Sequence, residues 1–266
     1  MPDLLSFALP ELLLARDGAV LTITFNRPES RNALTLPMYD ALENIMLAAA
    51  RDRSLRVIVI TGAGGKAFAS GTDAAELRKI TGPQDALAYE GRGARLVQAI
   101  EACGVPCIAA IDGACVGGGV AIAAACDLRI ATEHSVFGLP MARTMGNCLS
   151  LASCRLLGSI VGASRLKSWM FTAELWPAGR AERYGLLDTV VADAAELSTV
   201  VGELAARIET HAPLTLRATK QMIRLMREGG DESAERDIIA EVYGSADFLE
   251  GLTAFADKRK PVWTGE

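Results

Sequence analysis

Asp112-Gly113-Ala114-Cys115-Val116-Gly117-Gly118-Gly119 is the stretch whose reading decides the fold. It follows Ile108-Ala109-Ala110-Ile111, a short continuous apolar run, and leads into the apolar residues 120–125. A run of that length closed by Asp-Gly suits a parallel strand buried on both faces. The glycines then open a helix. Strand, Gly-rich loop and helix in this order form an α/β unit, and ligands of such sheets sit at the carboxyl ends of the strands. Glycine lets a backbone approach a ligand closely. A helix that begins at Gly118 aims free N–H donors and a positive dipole end at a bound anion.

Upstream, the same order recurs. Val57-Ile58-Val59-Ile60 is a β-branched run closed by Thr61-Gly62, and a second Gly-rich loop follows: Gly62-Ala63-Gly64-Gly65-Lys66-Ala67-Phe68-Ala69-Ser70-Gly71-Thr72-Asp73. Two such loops, each after a buried strand, can converge into an oxyanion hole. The start of this loop matches G-x-G-x-x-A, the dinucleotide fingerprint. The loop continues through Phe68-Ala69-Ser70-Gly71, however, so no helix starts at the glycines, and no acid ends a strand about 20 residues on. Lys66 is not followed by Ser or Thr, which excludes a P-loop.

Further out, residues 12–14 and 20–25 flank Asp17-Gly18 and read as a hairpin. Leu36, Ala41, Leu42, Ile45, Met46 and Ala49 share a helical face that starts at Thr35 and Pro37. A helical stretch runs to about Cys103; residues 128–131 and 189–191 read as later strands; from Ala194 helical periodicity dominates. The expected division is a core over residues 1–193 and a helical C-terminal region over 194–266.

The composition bounds the function. The chain has 266 residues, 50% hydrophobic and 22% charged, with formal net charge −5. That is globular, long enough for a large core, and carries no basic excess for nucleic acid. Apolar runs break well short of a membrane span. Residues 1–10 lack a basic stretch followed by an apolar one, so no secretory leader is expected. Six cysteines form no CxxC pair, and with two histidines no metal site is expected. Reduced thiols in a cytoplasmic protein are the simplest reading.

Several spaced segments together resemble the crotonase (enoyl-CoA hydratase/isomerase) superfamily. Asn26-Arg27-Pro28-Glu29-Ser30-Arg31-Asn32-Ala33-Leu34 resembles its "NRP…NAL" entry segment. Residues 65–73 look like its "G-x-A-F-x-A-G-x-D" loop, residues 106–130 like its "PVIAAVNG…GGG…ACDLRIA" block, and Lys258-Arg259-Lys260-Pro261 like its "EKRKP" tail. The likeness spans about residues 12–263. It implies an α/β fold, a spiral of ββα units with a helical C-terminal trimerisation region, assembled as a homotrimer or hexamer. It also implies a CoA thioester as substrate, with no permanently bound cofactor. By position, the backbone N–H groups of Thr72 and Gly118 would hold the thioester oxyanion. Ser30, Arg31, Ala33, Lys66 and Ser70 would meet the CoA, Gly71, Gly117 and Met141 would line the substrate site, and Lys258 and Lys260 would reach a neighbouring subunit's CoA.

The sequence departs from that pattern at two places. The position two residues after the triple glycine, a glutamate in hydratases of the family, holds Ala121. The one directly after Phe137-Gly138-Leu139-Pro140 holds Met141. A general acid or base contributes about 10²–10⁴-fold, so standard hydration is expected to be weak or absent. Arg143, Thr144, Asn147 and Cys148 lie just downstream, and Gly146-Asn147-Cys148 looks like the "G-N-D" of the dehalogenase branch, which makes Cys148 a candidate nucleophile. A buried packing cysteine is its plainer reading. Glu76 and Glu90 follow the first loop at helical spacing and would overhang the site or face solvent. Asp73 fits an N-cap, and His134 an exposed loop. The alternatives to an acyl-CoA enzyme are a catalytically silent acyl-CoA carrier and a dinucleotide-dependent oxidoreductase.

Overall fold

The computed structural model describes residues 4–266; the first three residues of the stretch inspected for a leader lie outside the described residues. Strands β1 (Leu12–Asp17) and β2 (Val20–Phe25) form the expected antiparallel hairpin. Gly18 turns it at φ +56°, a conformation that favours glycine. Helix α1 (Leu36–Ala49) is capped by Thr35, whose side chain accepts from the Met38 N–H, with Pro37 in the first turn. Its buried face is Met38, Tyr39, Leu42, Ile45, Met46 and Ala49. Leu36 and Ala41, read as core from their spacing, are only half-buried.

From here one unit recurs: a strand, a short strand in a second sheet, then helix. β3 (Val57–Gly62) and β4 (Ala67–Ala69) precede α2 (Ala74–Leu77) and α3 (Pro83–Ala102). β5 (Cys107–Ile111) and β6 (Ala114–Val116) precede α4 (Gly118–Ala125). β7 (Leu128–Thr132) and β8 (Val136–Gly138) precede α5 (Leu151–Val161) and α6 (Ala163–Thr172). Then come β9 (Leu175–Pro177), α7 (Ala178–Arg183) and β10 (Thr189–Val191), followed by α8 (Ala194–Glu209), α9 (Pro213–Glu228), α10 (Glu232–Tyr243) and α11 (Ala246–Ala256). One sheet has the order β1-β2-β3-β5-β7-β10, the other β4-β6-β8-β9. The chain climbs both at once, which is the spiral of ββα units.

Alternation along the central strands explains why they are apolar throughout. Ile58, Ile60, Cys107, Ala109 and Ile111 face the main core with α1, α3 and α4. Val57, Val59, Ile108 and Ala110 face the other way and are covered by Leu197, Val201, Ala205 and Ile208 of α8. The three-residue strands β4, β6, β8 and β9 are too short to show a period and were not read from sequence.

Two polar clusters fix the scaffold. Asn32 is fully buried. Its Oδ1 accepts from Arg27 N at 2.9 Å, and its Nδ2 donates to Ala63 O at 3.0 Å and Ala67 O at 2.6 Å. Arg27 in turn donates to Ala33 O at 2.6 Å and pairs with Asp73 at 2.8 Å, so the entry segment is stitched to the first Gly-rich loop. Asp73 also caps α2 as expected, accepting from Ala75 N. Farther away, Lys220 of α9 donates to Asp127 at 2.7 Å and Val105 O at 3.1 Å, while Asp127 accepts from Cys107 N at 2.7 Å.

Removing one partner from a buried polar set leaves the others desolvated and unpaired. Asn32→Ala is expected to destabilise the fold by about 3 kcal/mol, and Lys220→Met by about 3–5 kcal/mol. Urea unfolding at fixed protein concentration measures both.

Candidate active site

Glycine brings the two loops into contact. A Cβ added to Gly71 would lie 3.3 Å from Val116 O, 3.6 Å from Gly118 N and 3.8 Å from Gly117 Cα. Gly71 and Gly117 both hold positive φ, +94° and +56°, which only glycine adopts without strain. The close approach is backbone against backbone.

The same geometry leaves two donors unused. Leu34 bridges Thr72 in parallel fashion, donating to Gly71 O at 2.8 Å and accepting from Asp73 N at 2.9 Å. In such a bridge the N–H of the residue between, Thr72, faces away from Leu34. Gly118 is the first residue of α4, where the N–H has no partner within the helix. Among the described residues neither N–H has an acceptor. Both open onto one cleft of about 940 Å³, solvent at its mouth included. Leu77, Leu96, Val97, Ile122, Met145 and Leu149 give it apolar walls.

Of the residues singled out in the sequence, Ser70, Gly71, Thr72, Gly117, Gly118, Ala121, Met141 and Cys148 line this cleft, with Glu90, Thr144 and Asn147. Cys148 is exposed there, which overturns its reading as a buried packing residue. Ser30, Arg31, Ala33 and Lys66 do not line it. Arg31 borders it, its carbonyl accepting from Ser70 N at 3.1 Å. Lys66 is exposed on the β3–β4 loop, and Lys258 and Lys260 are exposed on the tail. Arg143 lies outside the lining, and Glu76 turns away to pair with Lys79 at 2.7 Å. His134 is exposed, as expected, 3.0 Å from Asp112 Oδ1.

The structure adds two residues that sequence reading passed over. Tyr39 Oη lies 2.9 Å from Thr72 Oγ1, and Tyr89 Oη lies 2.7 Å from the same oxygen. A Cβ on Gly118 would sit 2.5 Å from Tyr39 Oη, so this phenol abuts the second backbone donor. Burial is the largest cause that pushes both phenols above their ordinary value. Burial likewise pushes up the Glu90 carboxyl, which has no hydrogen bond or ion pair among the described residues. The signal for Tyr39 was present: a hydroxyl on a buried helical face needs a partner.

The floor of the cleft therefore presents two fixed N–H donors, a chain of neutral hydroxyls and one unpaired carboxyl. Among the described residues, no Lys, Arg or His lines it. Such a floor can hold an oxygen that gains negative charge.

The chain matches the family model described as enoyl-CoA hydratase/isomerase over residues 15–266. It is 30% identical over 260 residues to a short-chain-enoyl-CoA hydratase of Clostridium acetobutylicum, covering 95% of this chain and 97% of that protein. It is 33% identical over 258 residues to 2,3-dehydroadipyl-CoA hydratase of Escherichia coli, covering 96% and 99%. A crystal structure of an enoyl-CoA hydratase/carnithine racemase from Magnetospirillum magneticum superposes with TM-score 0.90 at 33% identity, covering 97% of each chain. With a family match over nearly its whole length and the same spiral fold, the chain belongs to the enoyl-CoA hydratase/isomerase family.

Proposed function

We propose that this protein is an acyl-CoA enzyme that polarises the thioester carbonyl between the backbone N–H groups of Thr72 and Gly118. The observation that carries the reading is the pair of unpaired N–H groups, brought together by Gly71 against Gly117 and Gly118. Donors fixed in advance at a developing charge are worth about 3–4 kcal/mol each. Ser30, Arg31, Ala33, Lys66 and Ser70 form the approach for CoA, and Arg31 and Lys66 supply positive charge for its phosphates. Lys258 and Lys260 reach the CoA of a neighbouring subunit. The membership of the family and the names of the relatives support the substrate class. Ala121 and Met141 offer no proton-transferring group, so the reaction runs through an oxyanion without hydration by paired glutamates.

Cys148 favours a second reading. It is exposed and lines the cleft, where its thiolate would attack the thioester carbonyl, break the C–S bond to CoA, release CoA as its thiolate and leave a covalent acyl-enzyme. Mass spectrometry after mixing with acyl-CoA detects that adduct, and its absence removes the reading.

Assembly as a homotrimer or hexamer is part of the proposal. Along α9 to α11, Ile223, Met226, Ile239, Leu249, Leu252 and Phe255 are exposed, and α10 buries none of its residues. Apolar faces of this kind suit contact with further copies.

Three measurements test these statements. Calorimetry with acetyl-CoA and longer acyl-CoAs is expected to show binding that weakens with added salt, because phosphates are being neutralised; no binding at any chain length would overturn the reading. Hydration of crotonyl-CoA is expected to run about 10²-fold or more below that of a relative with both glutamates; brisk hydration would overturn the role given to Ala121 and Met141. Binding without turnover across a thioester panel would instead identify a carrier. Light scattering at micromolar concentration is expected to give three or six times the 28.1 kDa chain mass, and a clean monomer contradicts it.

A further inference from the structure

Tyr39, Thr72 and Tyr89 are joined by two hydrogen bonds that meet at Thr72 Oγ1. Three hydroxyls carry three protons, and two bonds use two of them. Whichever way the chain is oriented, one O–H proton is left over. Both phenols line the cleft, but Tyr39 is buried against Gly118 whereas Tyr89 is half-buried. An orientation that runs from Tyr39 to Thr72 to Tyr89 satisfies the buried end, gives Thr72 both a donor and an acceptor role, and leaves the spare proton on Tyr89, which lines the cleft.

Glu90 is the next residue on α3 and lines the same cleft without a hydrogen-bond or ion-pair partner among the described residues. Its charge is felt at both phenols. A carboxylate that is half withdrawn from water and unpaired is a strengthened base. The neighbouring phenols, also desolvated, keep their protons and act as acids. The site thus holds a base and an acid whose environments suit opposite tasks.

We propose that Glu90 and the Tyr39–Thr72–Tyr89 hydroxyl chain are the acid–base apparatus of this cleft, moving protons at the carbon skeleton of an acyl thioester. The inference rests on the reading of the cleft as a thioester site. Glu90 carboxylate takes a proton from the carbon next to the thioester carbonyl. The C–H electron pair becomes the C=C bond of an enolate, and the carbonyl π pair moves onto oxygen between the N–H groups of Thr72 and Gly118. The enolate then collapses: the pair returns to carbon, which takes the Tyr89 O–H proton. The Tyr89 phenolate accepts from Thr72, itself accepting from Tyr39; water at the mouth of the cleft takes the proton held on Glu90 and returns one to Tyr89. Glu90 and Tyr89 touch substrate and are catalytic residues. Thr72, through its hydroxyl, and Tyr39 are positioning residues. No oxidant, metal or water is consumed, and the net change is exchange of a proton on the carbon beside the carbonyl.

The test uses the full-length protein with butanoyl-CoA in deuterium oxide. Exchange at the carbon beside the carbonyl is followed by NMR, and binding is measured in parallel by calorimetry. Wild type is expected to exchange well above buffer, with a rate that rises with pH through a midpoint above the usual carboxylate range. Glu90→Gln and Tyr89→Phe are expected to bind as wild type and to exchange about 10²-fold or more slowly, with the pH rise gone in Glu90→Gln. Thr72→Ala keeps its backbone N–H and is expected to slow exchange, while Thr72→Ser restores it, an outcome that a packing role for the methyl group does not give. Wild-type binding without exchange overturns the inference, as do wild-type rates in both Glu90→Gln and Tyr89→Phe. Failure of wild type to bind butanoyl-CoA overturns the reading of the cleft itself. Thermal unfolding of each variant separates a folded, slow protein from an unfolded one, and Thr72→Ser supplies the readout should Thr72→Ala fail to fold.

Discussion

The structure depends on one close approach: Gly71 against Gly117 and Gly118, backbone to backbone. A Cβ on Gly71 would crowd Val116 O and one on Gly118 would collide with Tyr39 Oη, and Gly71 and Gly117 hold positive φ, so side chains at these positions would disturb the path that sets the two free N–H groups. Other contacts serve the approach. A Cβ on Gly113 would collide with the backbone of Lys66, and one on Gly119 with Ala69 O, so the short strands β4 and β6 lie together only because both positions are glycine. Asn32 and Arg27 then hold the first loop from outside through Ala63, Ala67 and Asp73.

The division of labour between backbone and side chain follows. Main-chain donors come from the loop path, so the side chain at position 72 is free to do something else. Here it is a threonine between two phenols. Where Ala121 and Met141 give the cleft apolar surface, α1 and α3 contribute hydroxyls and a carboxyl.

The central strands, the two Gly-rich loops and the C-terminal helices were legible because each has its own period or punctuation. Continuous apolar runs such as Val57-Ile58-Val59-Ile60 announce a strand covered on both faces, and α8 supplies the second cover. The three-residue strands of the second sheet had no such mark, since three residues cannot display alternation. In the cleft, the residues next to glycines were legible by position. Tyr39 and Tyr89 were not, because they sit 33 and 17 residues from Thr72 in the chain, and only the tertiary fold brings three hydroxyls together. Cys148 shows the opposite limit: free cysteine is so often buried that its type alone pointed the wrong way.

Helix α4 has eight residues, a rod about 12 Å long at 1.5 Å per residue. One end presents the Gly118 N–H to the cleft. Just past the other end lies Asp127, gripped by Lys220 of α9 and by the first amide of β5. The Gly118 N–H and the apolar outer face of α9 are thus two ends of a single stiff strut. A load applied to that face, such as the docking of another chain, bears along the strut toward the one atom whose placement a developing negative charge would sense most.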